Sequence, residues 1–345
     1  MQKTPVNIKS VFSLKRVFFP IAIGIAFSVY SLYVSKFDLT VLRGIEISLK
    51  YILLALVCMV IRDLMYIIRL RILTEKLLSW MDSWHVVMLW EFASSVTPSM
   101  VGGSAFAIYF VNQERVTLGK STAIVLTTAM LDEIFYILTV AILLLIMGTN
   151  IIQVGEFLPF NPMVFFFLGY GVIIAMTTGI TLGIFVAPVG IKKLMVNLFS
   201  FSFLRKWQPR IADIGDDLIV SSKELKNKSF GYWAKAFATT AFTWIARFLV
   251  LNFLILALNP DLGFHIMQQL LIFTKQLVMW VILLISPTPG ASGIAEISFS
   301  AFFRNDFPEH SHAAVAVLWR AISYYPYLAL GLIILPIWLR KVQKR

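Results

Sequence analysis

The sequence predicts an all-α polytopic membrane protein with six full spans and two Pro/Gly-broken re-entrant hairpins arranged as an inverted repeat. Three observations carry that prediction. Hydrophobic residues make up 59% of the 345 residues, charged residues only 14%, and mean hydropathy is +0.83. A soluble domain carries about 25% charge, and burying this much hydrocarbon in water needs a larger core than such a chain encloses. A soluble enzyme and a disordered chain are both excluded. The second observation is that apolar runs of spanning length recur along the chain. The third is that two further apolar runs are interrupted by Pro/Gly-rich breaks.

A transmembrane helix needs about 20 mostly apolar residues. The stretches 17–35, 49–68, 121–147, 163–187, 236–258 and 312–338 qualify. The first follows a basic segment (Lys3, Lys9, Lys15, Arg16), as the core of a signal peptide would. Its C-terminal flank, Tyr30 to Lys36, has no small-residue cleavage site, so it reads as a retained span.

Residues 85–111 and 266–303 differ in kind. Thr97 to Ala105 (TPSMVGGSA) breaks one, and Ser286 to Glu296 (SPTPGASGIAE) breaks the other. Most of the flanking halves are too short to span. Proline removes a backbone donor and glycine weakens a helix, so each break leaves backbone groups without helical partners. Inside a bilayer such backbone survives only where protein buries it or it lines a wet cavity. Each stretch is therefore expected to form a re-entrant hairpin of two half-helices.

Sidedness tests that drawing. With the N-terminus in the cytoplasm and both hairpins returning to the side they entered, most lysines and arginines fall inside. External segments hold Lys36, Arg43, Lys50 and Arg304, and the loops 148–162 and 259–265 hold none. Both termini are then expected in the cytoplasm, with the protein in the inner membrane. Segment 190–235, the long cytoplasmic loop, is predicted to form one or two amphipathic helices attracted to anionic headgroups. Its Asp213, Asp216 and Asp217 read as one polar helix face. So placed, the formal net charge of +12 is an orientation signal and nucleic acid need not be invoked.

Thr97 to Thr288 is an offset of 191 residues, and the same offset lays Gly102 on Gly293 and span 121–147 on 312–338. The whole chain, 1–345, reads as one integral membrane domain with repeat unit one at about 45–147 and unit two at about 236–338. The topology has the two hairpins entering from opposite sides, so the units are expected to be inverted. Antiparallel repeats with broken helices meeting near the midplane mark transporters.

Nine ionisable residues fall at membrane depth: Arg62, Asp63, Glu91, Asp132, Glu133, Arg247, Lys275, Glu296 and Arg320. Each costs about 2.5–3.5 kcal/mol on insertion scales unless paired or hydrated, which makes each a functional candidate. Arg62 and Asp63 are placed near the inner interface, where pairing or snorkelling accounts for them. Glu91 and Lys275 fit as structural partners within the hairpin arms. Asp132, Glu133, Arg247 and Arg320 lie deeper, where a pore-lining role competes with a buried ion pair.

The chemistry at the centre is coherent. The second half-helix of each hairpin starts just after its break, so its free N–H groups are expected to point inward. Arg247 and Arg320 offer bidentate donors to phosphate. Asp132, Glu133 and Glu296 can neutralise those cations or hold a cationic headgroup or a proton. A cleft that takes a phosphate while the bilayer holds the acyl chains describes lipid translocation. Arg115 joins these residues in the predicted substrate-binding set. Thr97, Pro98, Gly102, Gly103, Pro287, Pro289, Gly290 and Gly293 form the predicted gates. The single Cys58 excludes an intramolecular disulfide and a cysteine metal site, and His310-x-His312 reads as a solvated loop pair. No metal or cofactor is implied.

Arg69-x-Arg71, Thr97-Pro98, Gly102-Gly103, Glu114-Arg115 and Asp132-Glu133 form one half of a wider pattern. Pro287-x-Pro289-Gly290-x-x-Gly293-x-x-Glu296 followed by Arg320 forms the other. Together they resemble the lysylphosphatidylglycerol synthase transmembrane region, over about residues 17–338. That region is the flippase-like domain at the N-terminus of multiple peptide resistance factors, and it also occurs as stand-alone bacterial and archaeal proteins. Ala291 and Ile294 stand where the family often has Gly and Val. The chain ends at Arg345, so the resemblance implies lipid translocation without the aminoacyl transfer of full-length synthases, and no enzyme activity. Stand-alone members are linked to hopanoid-like lipids, glycolipids and polyprenyl phosphates, so the lipid does not transfer with the fold.

Two other readings are weighed. A membrane-embedded transferase acting on a lipid-linked sugar or phosphate would need a site, yet H-E-x-x-H, G-x-S-x-G, a paired-Asp motif and a nucleotide loop are all missing. A scaffold for a lipid-modifying enzyme, or a homodimer, finds support only in Gly179-x-x-x-Gly183, a close-packing motif. No ATPase signature occurs, which leaves passive, ion-coupled or partner-driven movement.

Overall fold

The computed structural model describes residues 26, 29–30, 33, 47–97, 102–148, 162–200, 205, 208–259, 263–284, 286, 288–307 and 312–344. The predicted span 17–35 lies largely outside them, as do Pro98, Pro287 and His310. Within them the protein is an all-helical membrane protein without strands.

Unit one begins with α1 (Leu49–Leu73), five residues longer at its C-terminal end than the predicted span. A turn leads to α2 (Trp80–Val96), where the Ser79 hydroxyl accepts the Asp82 N–H at 3.1 Å. The first break follows, then α3 (Gly102–Gln113) and α4 (Leu118–Met147). Helix α5 (Pro162–Thr181) runs into a π turn at Leu182–Val186. The following Pro188 carries no N–H, and the Ala187 N–H reaches back five residues to the Leu182 carbonyl at 2.8 Å.

The predicted amphipathic loop forms α6 (Pro188–Leu198) and α7 (Gln208–Lys226). They pack on each other through Lys192 and Asp216, 2.5 Å apart, and α7 meets α4 at Gly119. Gly183, half of the predicted close-packing motif, is covered by Ile191 of α6, whereas Gly179 faces open space. Among the described residues no group of three His, Cys, Asp or Glu side chains stands close enough to hold a metal.

The stretch predicted as unit two follows. It comprises α8 (Phe230–Leu258), α9 (Ile266–Leu284), the second break, α10 (Ile294–Phe303) and then α11 (His312–Ser323) with α12 (Tyr325–Gln343). The predicted last span is thus two helices. Pro326 has no N–H to give the Ile322 carbonyl, and the helix breaks at Tyr324.

Among the described residues, six segments are long and apolar enough to cross a membrane: Leu49–Leu73, Leu118–Met147, Met163–Val186, Phe230–Leu258, Ile266–Leu284 and Ala314–Gln343. Ile266–Leu284 was expected as a short hairpin arm. Its 19 residues rise about 28 Å, close to the apolar thickness of a bilayer. By contrast α2, α3 and α10 are shorter than a span.

Helix α8 is the hub, with 67% of its apolar stretch buried against 17% for α5. Its most extensive partner is α1. Buried Asn252 ties α8 to α9, donating to the Gln269 carbonyl at 2.8 Å and accepting from Gln276 at 2.9 Å. The two breaks also touch. The Gly290 N–H donates to the Thr97 carbonyl at 3.3 Å, and the Tyr324 hydroxyl donates to the Ser95 carbonyl at 2.9 Å.

Candidate functional site

Gly290 shows why the second break must be a glycine turn. Its φ is +55°, and a Cβ there would sit 2.4 Å from the Tyr324 ring and 2.8 Å from the Ser95 carbonyl. No side chain fits so close to two rigid neighbours. The turn therefore brings the second break against the end of α2, and a cavity of about 620 Å³ opens beside this contact. Residues from both units line it.

One wall carries Asp132 and Glu133 of α4. Asp132 pairs with Arg69 of α1, whose Nη2 lies 3.3 Å from Oδ2, and it accepts the indole N–H of Trp244 at 2.7 Å. Arg69 is buried and also donates to Thr240 at 3.0 Å. Glu133 has no cation within pairing distance among the described residues, and its partner is the Thr177 hydroxyl at 2.7 Å. On the facing helices, half-buried Arg247 is held between two indoles, 5.3 Å from the Trp244 ring and 5.0 Å from the Trp280 ring. Among the described residues it has no carboxylate within pairing distance. An arginine stacked on aromatic faces keeps its in-plane N–H donors available.

Arg320 reaches the same cavity but is fully engaged. It donates to Glu296 at 3.0 Å, to the Gly290 carbonyl at 3.1 Å and to the Ser292 hydroxyl at 3.2 Å, and it stacks on Tyr324 at 3.9 Å. Glu296 is 1% exposed and does not line the cavity. Its second oxygen accepts the Gly293 N–H at 2.7 Å, which caps α10 where Gly293 adopts a φ of +84°. The positive end of α10, expected to be open to a ligand, is thus already occupied by its own glutamate. This clasp closes the second break.

The remaining predicted residues divide. Pro289 and Gly290 form the turn at the cavity edge, and Gly293 lies behind it. Thr97 flanks the first break and donates its hydroxyl to the Ala93 carbonyl at 2.6 Å. Gly102 opens α3 and Gly103 lies against Ser94. Arg115 stands apart: it is exposed in the α3–α4 turn and does not reach the cavity. Asp63, Arg62 and Glu91 form a second cluster, reaching across from α1 to α2 and α12. Arg62 pairs with Glu91 and Asp63, and the Tyr327 hydroxyl donates to Asp63 at 2.8 Å. Of the three, Glu91 lines the cavity. Lys275 is paired with Asp306 at 2.6 Å, outside the cavity lining.

Arg69 was missed as an interior charge because the span was drawn to end at residue 68. In the structure α1 continues to Leu73. The Arg69-x-Arg71 spacing held the signal, since residues two apart on a helix face different ways. Arg71 turns outward to the Leu78 carbonyl and the Trp80 ring, while Arg69 turns in.

Comparison with known proteins agrees with this architecture. The family model described as the lysylphosphatidylglycerol synthase TM region matches residues 18–331. A UPF0104 membrane protein of Archaeoglobus fulgidus is 24% identical over 285 residues, covering 78% of this chain and 81% of that protein. No solved structure matches the chain.

Proposed function

Because the chain belongs to the lysylphosphatidylglycerol synthase transmembrane-region family and its spanning helices enclose a charged cavity, we propose that it is a flippase-like transporter. It moves a phospholipid or related amphiphile between bilayer leaflets. The observation that carries this reading is Arg247, a cation on the cavity wall with aromatic neighbours and no acid partner among the described residues. A bare arginine inside a membrane is costly, and an incoming phosphate removes that cost. The headgroup enters the cavity while its acyl chains stay in the bilayer.

In this reading the two units are inverted and the touching breaks act as gates, with both termini in the cytoplasm and the protein in the inner membrane. Helices α6 and α7 rest on anionic headgroups through Lys193 and the exposed apolar side chains Val189, Leu194 and Leu198. The protein needs no catalytic residue for this task.

The test is reconstitution into liposomes with headgroup-labelled phospholipids of several classes. Leaflet exchange above that of empty liposomes is expected for at least one class, with most of it lost in Arg247→Ala. Exchange equal to empty liposomes for every class overturns the proposal.

A further inference from the structure

Neighbouring carboxylates on α4 are treated very differently. Asp132 is paired with Arg69 and hydrogen-bonded by Trp244. Glu133 lines the same cavity, yet its polar contact is the Thr177 hydroxyl of α5 at 2.7 Å. That hydroxyl also lies 2.8 Å from the Ile173 carbonyl, the intrahelical acceptor that Thr128 and Thr181 use at their own i−4 positions. A threonine hydroxyl has one proton to give. If it goes to the Ile173 carbonyl, the contact with Glu133 is a hydrogen bond only when the glutamate carries a proton and donates it. If it goes to Glu133, the carboxylate is ionised beside Asp132 with no cation to balance it. The geometry therefore accommodates Glu133 in either protonation state.

The charges around it fix the consequence. On α4 itself they are Asp132 and Tyr136, and α5 brings Tyr170, whose hydroxyl donates to the Ile137 carbonyl. Arg69 reaches in from α1, Arg247 from α8, Arg320 from α11 and Glu91 from α2, while α3 and α9 line the cavity there with uncharged residues such as Ser104 and Gln276. Helix α7 meets α4 at Gly119 and Lys120, where its charges are Asp217 and Glu224. Protonating Glu133 thus makes the cavity more positive by one unit without disturbing an ion pair. A more positive cavity holds an anionic headgroup more tightly, and by linkage a bound anion holds the proton more tightly.

We propose that Glu133 is a proton-binding site of the cavity and takes up a proton together with an anionic headgroup, so that lipid movement is coupled to proton movement. The coupling rests on the translocation reading above, while the proton site stands on the Glu133–Thr177 geometry alone. The proton comes from water on one side of the membrane and is released with the headgroup on the other.

Two measurements on the whole protein test it. Infrared difference spectra between acid and alkaline buffer are expected to show a carboxylic-acid band that is absent in Glu133→Gln and retained in Asp132→Asn. The same band unchanged in Glu133→Gln overturns the proton site. In liposomes with headgroup-labelled phosphatidylglycerol, an imposed pH gradient is expected to raise wild-type exchange about tenfold. Glu133→Gln is expected to be indifferent to the gradient at whatever rate remains. Wild-type exchange that ignores the gradient overturns the coupling and leaves the translocation reading intact. Exchange absent for phosphatidylglycerol and every other labelled class, with a titrating Glu133 band, removes the translocation reading and the coupling, while supporting the proton site.

Discussion

Arg320 and Arg247 both reach the cavity from the C-terminal part of the chain, and they are held in opposite ways. Arg320 is buried, with Glu296, the Gly290 carbonyl, Ser292 and the Tyr324 ring taking up its donors and its face. Arg247 is half-buried with an indole on each side and no carboxylate within pairing distance among the described residues. The same side chain is therefore held in two ways. In the first case the guanidinium is a structural clasp that fixes the shape of the second break. In the second it is the cation that the proposed function assigns to an anionic headgroup. The contrast teaches that an intramembrane charge becomes a binding candidate through what it lacks, as much as through where it lies.

The comparison breaks most readily at the clasp. Arg320→Ala leaves Glu296 as an uncompensated buried charge, and thermal unfolding in detergent should show a loss of about 3–5 kcal/mol. A variant melting with the wild type would mean that Arg320 is as free as Arg247. Gly290→Ala forces a side chain into a left-handed turn against Tyr324 and Ser95, at a cost of about 1–3 kcal/mol in the same assay. Arg247→Ala should cost less than about 1 kcal/mol, since it removes aromatic contacts and no close ion pair. Its headgroup affinity should nevertheless fall about tenfold, read by competition with a labelled anionic lipid. Smallest is the effect of Glu75, in the turn between α1 and α2. Its carboxyl is held below the usual range by the hydrogen bond from Lys228 and by the charges of Lys228 and Lys120. A depressed folded value means stability present above the unfolded value and lost as pH falls through the folded one. Glu75→Gln should flatten that shallow acid limb of the unfolding midpoint and leave neutral pH nearly unchanged.

Much of this arrangement was legible in the sequence. The apolar runs predicted α1, α4, α5 and α8, and the Thr-Pro-x-x-x-Gly matches predicted the paired breaks whose flanks touch at Thr97 and Gly290. Asp132, Glu133, Arg247 and Arg320 stood out because charges in apolar runs are rare for a physical reason. Pairing was not legible, because it depends on contacts between residues far apart in sequence. Glu296 looked equivalent to Glu133 until the turn at Gly293 folded it onto its own helix start. Arg69 falls just past the span 49–68 as the sequence predicts it, on the cytoplasmic side, because nothing in the apolar pattern announces that α1 runs on to Leu73. The length of α9 was misjudged for a related reason: counting toward the break undervalued an uninterrupted run from Ile266 to Leu284.

The most direct test is the lipid that copurifies with the protein, identified and quantified by mass spectrometry in wild type and Arg247→Ala. A phosphate-bearing lipid retained by the wild type and lost by Arg247→Ala, at unchanged melting temperature, is the predicted result. Equal amounts of the same lipid in both proteins would contradict the assignment of Arg247 as the headgroup cation.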